Sequence, residues 1–90
     1  MVEFHLSPLK SKKLRAVFKD GDYTDFGASG YSDFPTHKDP IRKERYLKRH
    51  ASREDWNDPK SAGTLSRYIL WNLPSLKASI ADYKKRFPGI

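Results

Sequence analysis

Six prolines, at positions 8, 35, 40, 59, 74 and 88, cut this chain into short pieces that no long helix or strand can bridge. Proline fixes φ and donates no amide hydrogen, so it sits at the first position of a helix or outside regular structure, and it pushes the preceding residue out of the helical region. Asp39-Pro40 therefore reads as a helix start, with the aspartate as N-cap, and predicts a helix from about 40 to 51. Asp58-Pro59 gives the same signal and predicts a second helix through "KSAGTLSRYILWN", stopping near Asn72 because Pro74 follows. Ser75 then caps a third helix, "LKASIADYKKRF", whose Leu76, Ile80, Tyr83 and Phe87 share one apolar stripe before Pro88-Gly89 ends it.

Ahead of the helical half the hydrophobic period changes to two. In "VEFHL", Val2, Phe4 and Leu6 alternate with Glu3 and His5, and Ser7-Pro8 stops the strand. "KKLRAVF" repeats the pattern with Leu14, Ala16 and Phe18 on one side. "KDGD" follows as a tight turn in which Asp20-Gly21 takes positive φ, and Tyr23 to Phe26 form a short return strand. Between 27 and 38, Gly27, Gly30, Pro35 and Pro40 predict an irregular loop pinned to the domain by Tyr31 and Phe34. The expected fold class is α+β: a short N-terminal antiparallel hairpin or meander (1–26), an irregular loop (27–38) and a helical region (39–90) with about three helices. A two- or three-stranded sheet leaves backbone donors open at its edge.

Ninety residues hold one small domain, and an aromatic share of 13% argues for a core built around large rings. In the second helix Ala62, Leu65, Tyr68 and Ile69 make one face, widened by Leu70 and Trp71, which predicts the centre of that core. Trp56 is expected under the interhelical link with its N–H on a backbone carbonyl. With no cysteine there is neither a disulfide framework nor a thiolate zinc site, which fits a reducing compartment. The N-terminal stretch lacks the apolar region of a signal peptide, and no run approaches the length of a membrane span. The expectation is a soluble protein that is not secreted.

The net charge of +7 is distributed in blocks, positive at 38–53 and negative at 19–37 and 54–58. In "RKERYLKRHASR" six cationic side chains and a histidine stand against one glutamate. At 100° per residue, Arg42, Arg45, Arg49 and Arg53 fall within an arc of about 80°. Ile41, Leu47 and Ala51 lie on another side and are expected to face the core, with the stems of Lys43 and Lys48 along the borders and their ammonium groups in water. Aligned guanidinium groups repel, and Glu44 cannot offset them all, so an anionic partner would relieve the stripe. Guanidinium forks bind phosphate or carboxylate oxygens two at a time. The competing arrangement is intramolecular, with the same arginines paired to the acidic blocks at 20–25 and 54–58.

Catalytic and metal signals are weak. His5, His37 and His50 are far apart, and Asp39 beside His37 serves better as a cap. "GASG" lacks the lysine of a phosphate-binding loop, and "GDYTDFG" resembles the magnesium-binding turn of kinases only superficially. Asp20, Asp22 and Asp25 lack EF-hand spacing and read as solvated turn carboxylates. No catalytic residue, metal ligand or cofactor is assigned.

The segment "DFGASGYSDFPTHKD" followed by "RKERYLKRHASREDWNDPKSAGTLSRYILWNLPSLKASIADYKKRF" resembles a family of small proteins of unknown function encoded by large nucleocytoplasmic DNA viruses, including viruses of algae and protists. The resemblance spans about residues 23–87 and rests on the ordered set "GYSDF" with "HKD", "RYLKRH", "EDWNDP" and "ILWN" before proline. Two tryptophans of the family's second helix are replaced by Leu65 and Tyr68. The resemblance carries no activity; it implies a viral protein of the virion or of the infected cell's cytoplasm or nucleus. The expected function is non-enzymatic: a small basic virion-associated protein, a minor capsid or internal structural component, that binds acidic protein surfaces through the arginine helix. The alternative is a nucleic-acid-binding protein in which Arg42, Arg45, Arg49 and Arg53 contact phosphates, joined by Lys43, Lys48 and an arm of Lys10, Lys12 and Lys13. A host-protein adaptor or inhibitor is a third class.

Overall fold

The computed structural model describes residues 2–29 and 33–90. Three antiparallel strands, β1 (Glu3–Leu6), β2 (Lys12–Val17) and β3 (Tyr23–Ala28), form a sheet in the order β1-β2-β3. Helices α1 (Phe34–His37), α2 (Pro40–Ala51), α3 (Ala62–Leu65, continuing as a π-helical turn over Ser66–Leu70) and α4 (Leu76–Arg86) follow. The fold is α+β. Gly21 takes φ of 93° in the β2–β3 turn, as the sequence predicts. β3 reaches Ala28, two residues past the expected end at Phe26, because Gly27 takes φ of 80°, a conformation open to glycine.

The expected irregular loop contains a helical turn. Asp33 accepts hydrogen bonds from the backbone N–H and the hydroxyl of Thr36, Pro35 fills a first-turn position where no donor is needed, and Lys38 closes the turn at φ 54°. Phe34 is buried there; Tyr31, the other expected pin, lies outside the described residues.

Val2, Ala16, Phe18, Phe26, Leu65, Ile69, Leu70 and Tyr83 form the buried core between one face of the sheet and the α3–α4 pair. Period-two alternation puts Ala16 and Phe18 inward, and the pairs Phe4↔Ala16 and Ala16↔Thr24 let a small residue sit beneath the rings. Phe4 meets Phe26 and Tyr83 edge-on, at 6.3 and 5.7 Å between centroids. Leu6 does not join them: it is 84% exposed, because no helix covers that end of β1.

The helix after Pro59 starts later than the sequence suggests. Asp58 closes a turn by accepting the Lys60 N–H, and Ser61 is the N-cap, accepting the Thr64 N–H. The helix then widens: the Trp71 N–H bonds to the Ser66 carbonyl five residues back, which brings the adjacent Ile69 and Leu70 both into the core. Leu65, Ile69 and Leu70 are buried as the apolar pattern predicts, whereas the expected inward Ala62 is exposed. In α4, Ser75 caps as predicted. Tyr83 is fully buried, whereas Leu76 is exposed and Ser79 takes its inward place, exchanging hydrogen bonds with the backbone of Leu73.

Tyr83 donates its phenol proton to the Pro59 carbonyl at 2.6 Å, tying α4 to the turn before α3. Burial raises its pKa. Replacing Tyr83 by Phe leaves that carbonyl without its partner and is expected to cost about 1–3 kcal/mol, read as a lower urea midpoint at unchanged m-value.

Candidate binding site on the second helix

The amphipathic helix of the "RKERYLKRHASR" segment forms over the predicted span, with Asp39 accepting the Ile41 and Arg42 N–H groups. Its inward face is not the aliphatic one. Tyr46 is its one buried side chain; Ile41 and Ala51 are exposed and Leu47 half-buried. The Tyr46 ring lies 4.3 Å from that of Trp71 and within 5° of parallel, and on its other side 4.2 Å from His50. Trp71 in turn meets His37, 5.3 Å away, and His37 meets Phe34. Stacked rings bury more area than three small aliphatics and add about 0.5–1.5 kcal/mol per pair, so they set the rotation of α2.

Lys43 follows the same rotation. Instead of reaching water, its ammonium donates to the Asn72 carbonyl and stands 5.1 Å from the Phe34 ring. Burial, with Arg67 nearby, lowers its pKa. Glu54 fastens the far end of α2: it lies 3.2 Å from His50 Nδ1 and accepts the Trp56 indole N–H at 3.0 Å. The expected backbone partner of Trp56 is thus a carboxylate. Gly63 makes room for it, since a β-carbon there would come within 2.8 Å of the Glu54 carboxyl carbon.

With this rotation Arg42, Arg45 and Arg49 stand exposed along one stripe, and Arg53 follows in the turn after the helix, its N–H on the His50 carbonyl. Much of the acidic blocks is engaged elsewhere, with Asp55 and Asp58 accepting, among the described residues, only the backbone N–H groups of Asn57 and Lys60. Asp20 and Asp22 take Lys60, Asp25 holds Arg15 bidentately at 2.9 and 3.0 Å, and Glu54 takes His50 and Trp56. The hydrogen bond from Arg15 keeps the Asp25 carboxyl below the ordinary range. Asp25 thus belongs to a half-buried structural pair and is not a solvated turn carboxylate, while Asp20 and Asp22 remain exposed in the β2–β3 turn. Among the described residues Arg45, Arg49, Arg53 and the exposed Lys48 form no ion pair with any carboxylate.

Between α2, the start of α3 and the ends of β2 and β3 opens a groove of about 450 Å³. Lys12 stands on the strand side, and Arg42 and Arg49 on the helix side. Lys13, expected to join an anion-binding arm, is committed to Asp33 at 2.7 Å. Burial alone would raise Asp33, but the bonds from Lys13 and Thr36 outweigh it and hold its carboxyl low. Lys10 is exposed on the β1–β2 turn and does not line the groove. The site's supporting residues, Tyr46, His50 and Glu54, recur every four positions in "YLKRHASRE", an aromatic and polar face that a search for aliphatic periodicity passes over. Among the described residues no three His, Asp or Glu side chains gather as a metal site, and no helix is long and apolar enough to cross a membrane.

Residues 2–50, more than half the chain and all of the sheet, α1 and nearly all of α2, match the model of a family of unknown function, DUF5754. The chain belongs to this family. No curated protein and no solved structure matches it. The DUF5754 segment thus contains Arg42, Arg45, Arg49 and Tyr46, while Trp71, on which the Tyr46 ring stacks, lies beyond it.

Burial, reinforced by the charge of Glu54, pushes the Tyr46 phenol up to about 12. The folded state holds this proton while the unfolded chain releases it near the ordinary value of about 10. The contribution is therefore complete below about pH 10 and is lost as pH rises towards about 12. Tyr46→Phe is expected to flatten stability across that window, and Trp71→Ala to bring the Tyr46 phenol back towards 10, both followed by ultraviolet titration and urea unfolding.

Proposed function

We propose that this DUF5754 chain is a non-enzymatic binding module, a structural component of a viral particle, that grips an acidic protein surface with the outward arginines of α2. One observation carries the reading: Arg45, Arg49 and Arg53 are exposed with no carboxylate committed to them among the described residues, while Asp20, Asp22, Asp25 and Glu54 of the acidic blocks are paired elsewhere. An array of like charges held on an ordered helix is relieved by an external anion, and guanidinium forks fit carboxylates bidentately. The viral setting is supported by the resemblance of residues 23–87 to proteins of large DNA viruses, and on this reading the module works in the virion or the infected cell.

A second reading has its own observation. Lys12 faces Arg42 and Arg49 across the groove, and cations on two walls of a trough suit a phosphate backbone. Duplex DNA neutralised by three cations loses roughly 40-fold in affinity between about 50 and 200 mM salt.

Fluorescence anisotropy with a labelled poly-glutamate peptide and labelled duplex DNA, each at those two salt concentrations, tests both. The proposal expects the peptide to bind the native chain and to lose at least tenfold with Arg45→Ala/Arg49→Ala/Arg53→Ala while circular dichroism stays unchanged. Equal peptide binding by native and variant chains contradicts it. DNA binding with that salt dependence, in the absence of peptide binding, transfers the site to nucleic acid.

A further inference from the structure

β1 is an edge strand whose sequence is complementary to itself. Its inner side is fixed by the register His5↔Arg15 and Glu3↔Val17 and by the Ser7 N–H on the Lys13 carbonyl, which sets the phase of the ladder. Alternation then turns the N–H and C=O groups of Phe4 and Leu6 away from β2, towards the side where the sheet ends. The opposite edge is guarded. Thr24 donates its hydroxyl to the Lys60 carbonyl, and α3 packs beside β3. β1 is short and carries the charge of Glu3, but no lysine, proline or bulge stands between Val2 and Leu6 to block pairing.

We infer that β1 pairs antiparallel with β1 of a second copy of this chain, about a two-fold axis at Phe4. That register is the one in which the outward backbone groups of Phe4 meet their own counterparts. Glu3 then falls opposite His5 of the second copy, twice by symmetry, in the non-hydrogen-bonded positions where side chains approach most closely. Both are exposed and on one face, where within a chain they already stand 3.6 Å apart. Leu6 comes opposite Val2 of the second copy. This gives the 84%-exposed leucine an apolar neighbour on the core side of the sheet, where its own helices do not reach. Shifting the pairing by one residue in either direction removes the charge match and the two-fold. No β1 residue lines the groove, so the pairing leaves both α2 faces open and makes the assembly bivalent for any surface they bind.

The chain has no native cysteine, which makes the register directly readable. Across a non-hydrogen-bonded pair the Cα atoms stand about 4.5 Å apart, within disulfide range, whereas like positions are offset diagonally and are not. Mixing the Glu3→Cys and His5→Cys chains under mild oxidation is expected to give a mixed disulfide dimer at least tenfold faster than either chain alone. Sedimentation equilibrium of the native chain without any anion is expected to show concentration-dependent dimer, weakened by Glu3→Lys and restored by Glu3→Lys/His5→Glu. Equal crosslinking in the mixed and separate samples, or monomer mass at every concentration up to about 1 mM, overturns the inference. Neither readout depends on the ligand of α2.

Discussion

The stack of Tyr46 on Trp71 decides how the second helix sits, and the charge geometry follows from it. α2 buries one side chain, so a single near-parallel ring pair 4.3 Å apart supplies most of its orientation. Lys43 on one neighbouring position and His50 on the other complete the attachment, through the Asn72 carbonyl and the Glu54 carboxylate. Rotated this way, the helix hides one cation and sets Arg42 and Arg49 on the wall of the groove, with Arg45 exposed beside them.

The distribution of carboxylates explains why those arginines remain outward. Asp25 of β3 holds Arg15, Asp20 and Asp22 of the β2–β3 turn hold Lys60, Asp33 holds Lys13, and Asp82 holds Arg86 along α4 and the amide of Asn72. Asp39 and Asp33 are spent as helix caps. Each of these pairs joins neighbouring elements or closes a turn, and the positive charge of α2 is left without a structural counterweight of similar size. Arg67 is a different case. It is half-buried among the rings of Trp56 and Tyr68, its head donating to the Trp71 carbonyl and burial lowering its pKa.

The backbone-level features were legible in the sequence because they depend on neighbours along the chain. Asp39-Pro40 and Ser75 mark their helices, and the alternation around Ala16 marks the sheet. Features set by distant partners were not. Leu65, Ile69 and Leu70 were legible as core from their pattern, but nothing local says that Ser61 rather than Asp58 caps α3, that the helix widens at Ser66, or that Lys43 turns inward to a carbonyl almost thirty positions away. The arginine stripe itself was readable from spacing. Its flank was not, since Tyr46 outcompetes Ile41, Leu47 and Ala51 only when Trp71 is there to meet it.

On the proposed function, α2, oriented by its aromatic face, is the surface that meets an anionic partner. A second basic stretch, Lys84 to Arg86 at the end of α4, offers an internal control. A nuclear magnetic resonance titration of the isotope-labelled chain with poly-glutamate follows the arginine Nε–H signals and the backbone amides together. On that reading saturable shifts are expected at Arg45, Arg49 and Arg53 and at the backbone of α2, with the end of α4 little changed. Shifts of equal size at Lys84, Lys85 and Arg86, or shifts confined to them, would contradict it.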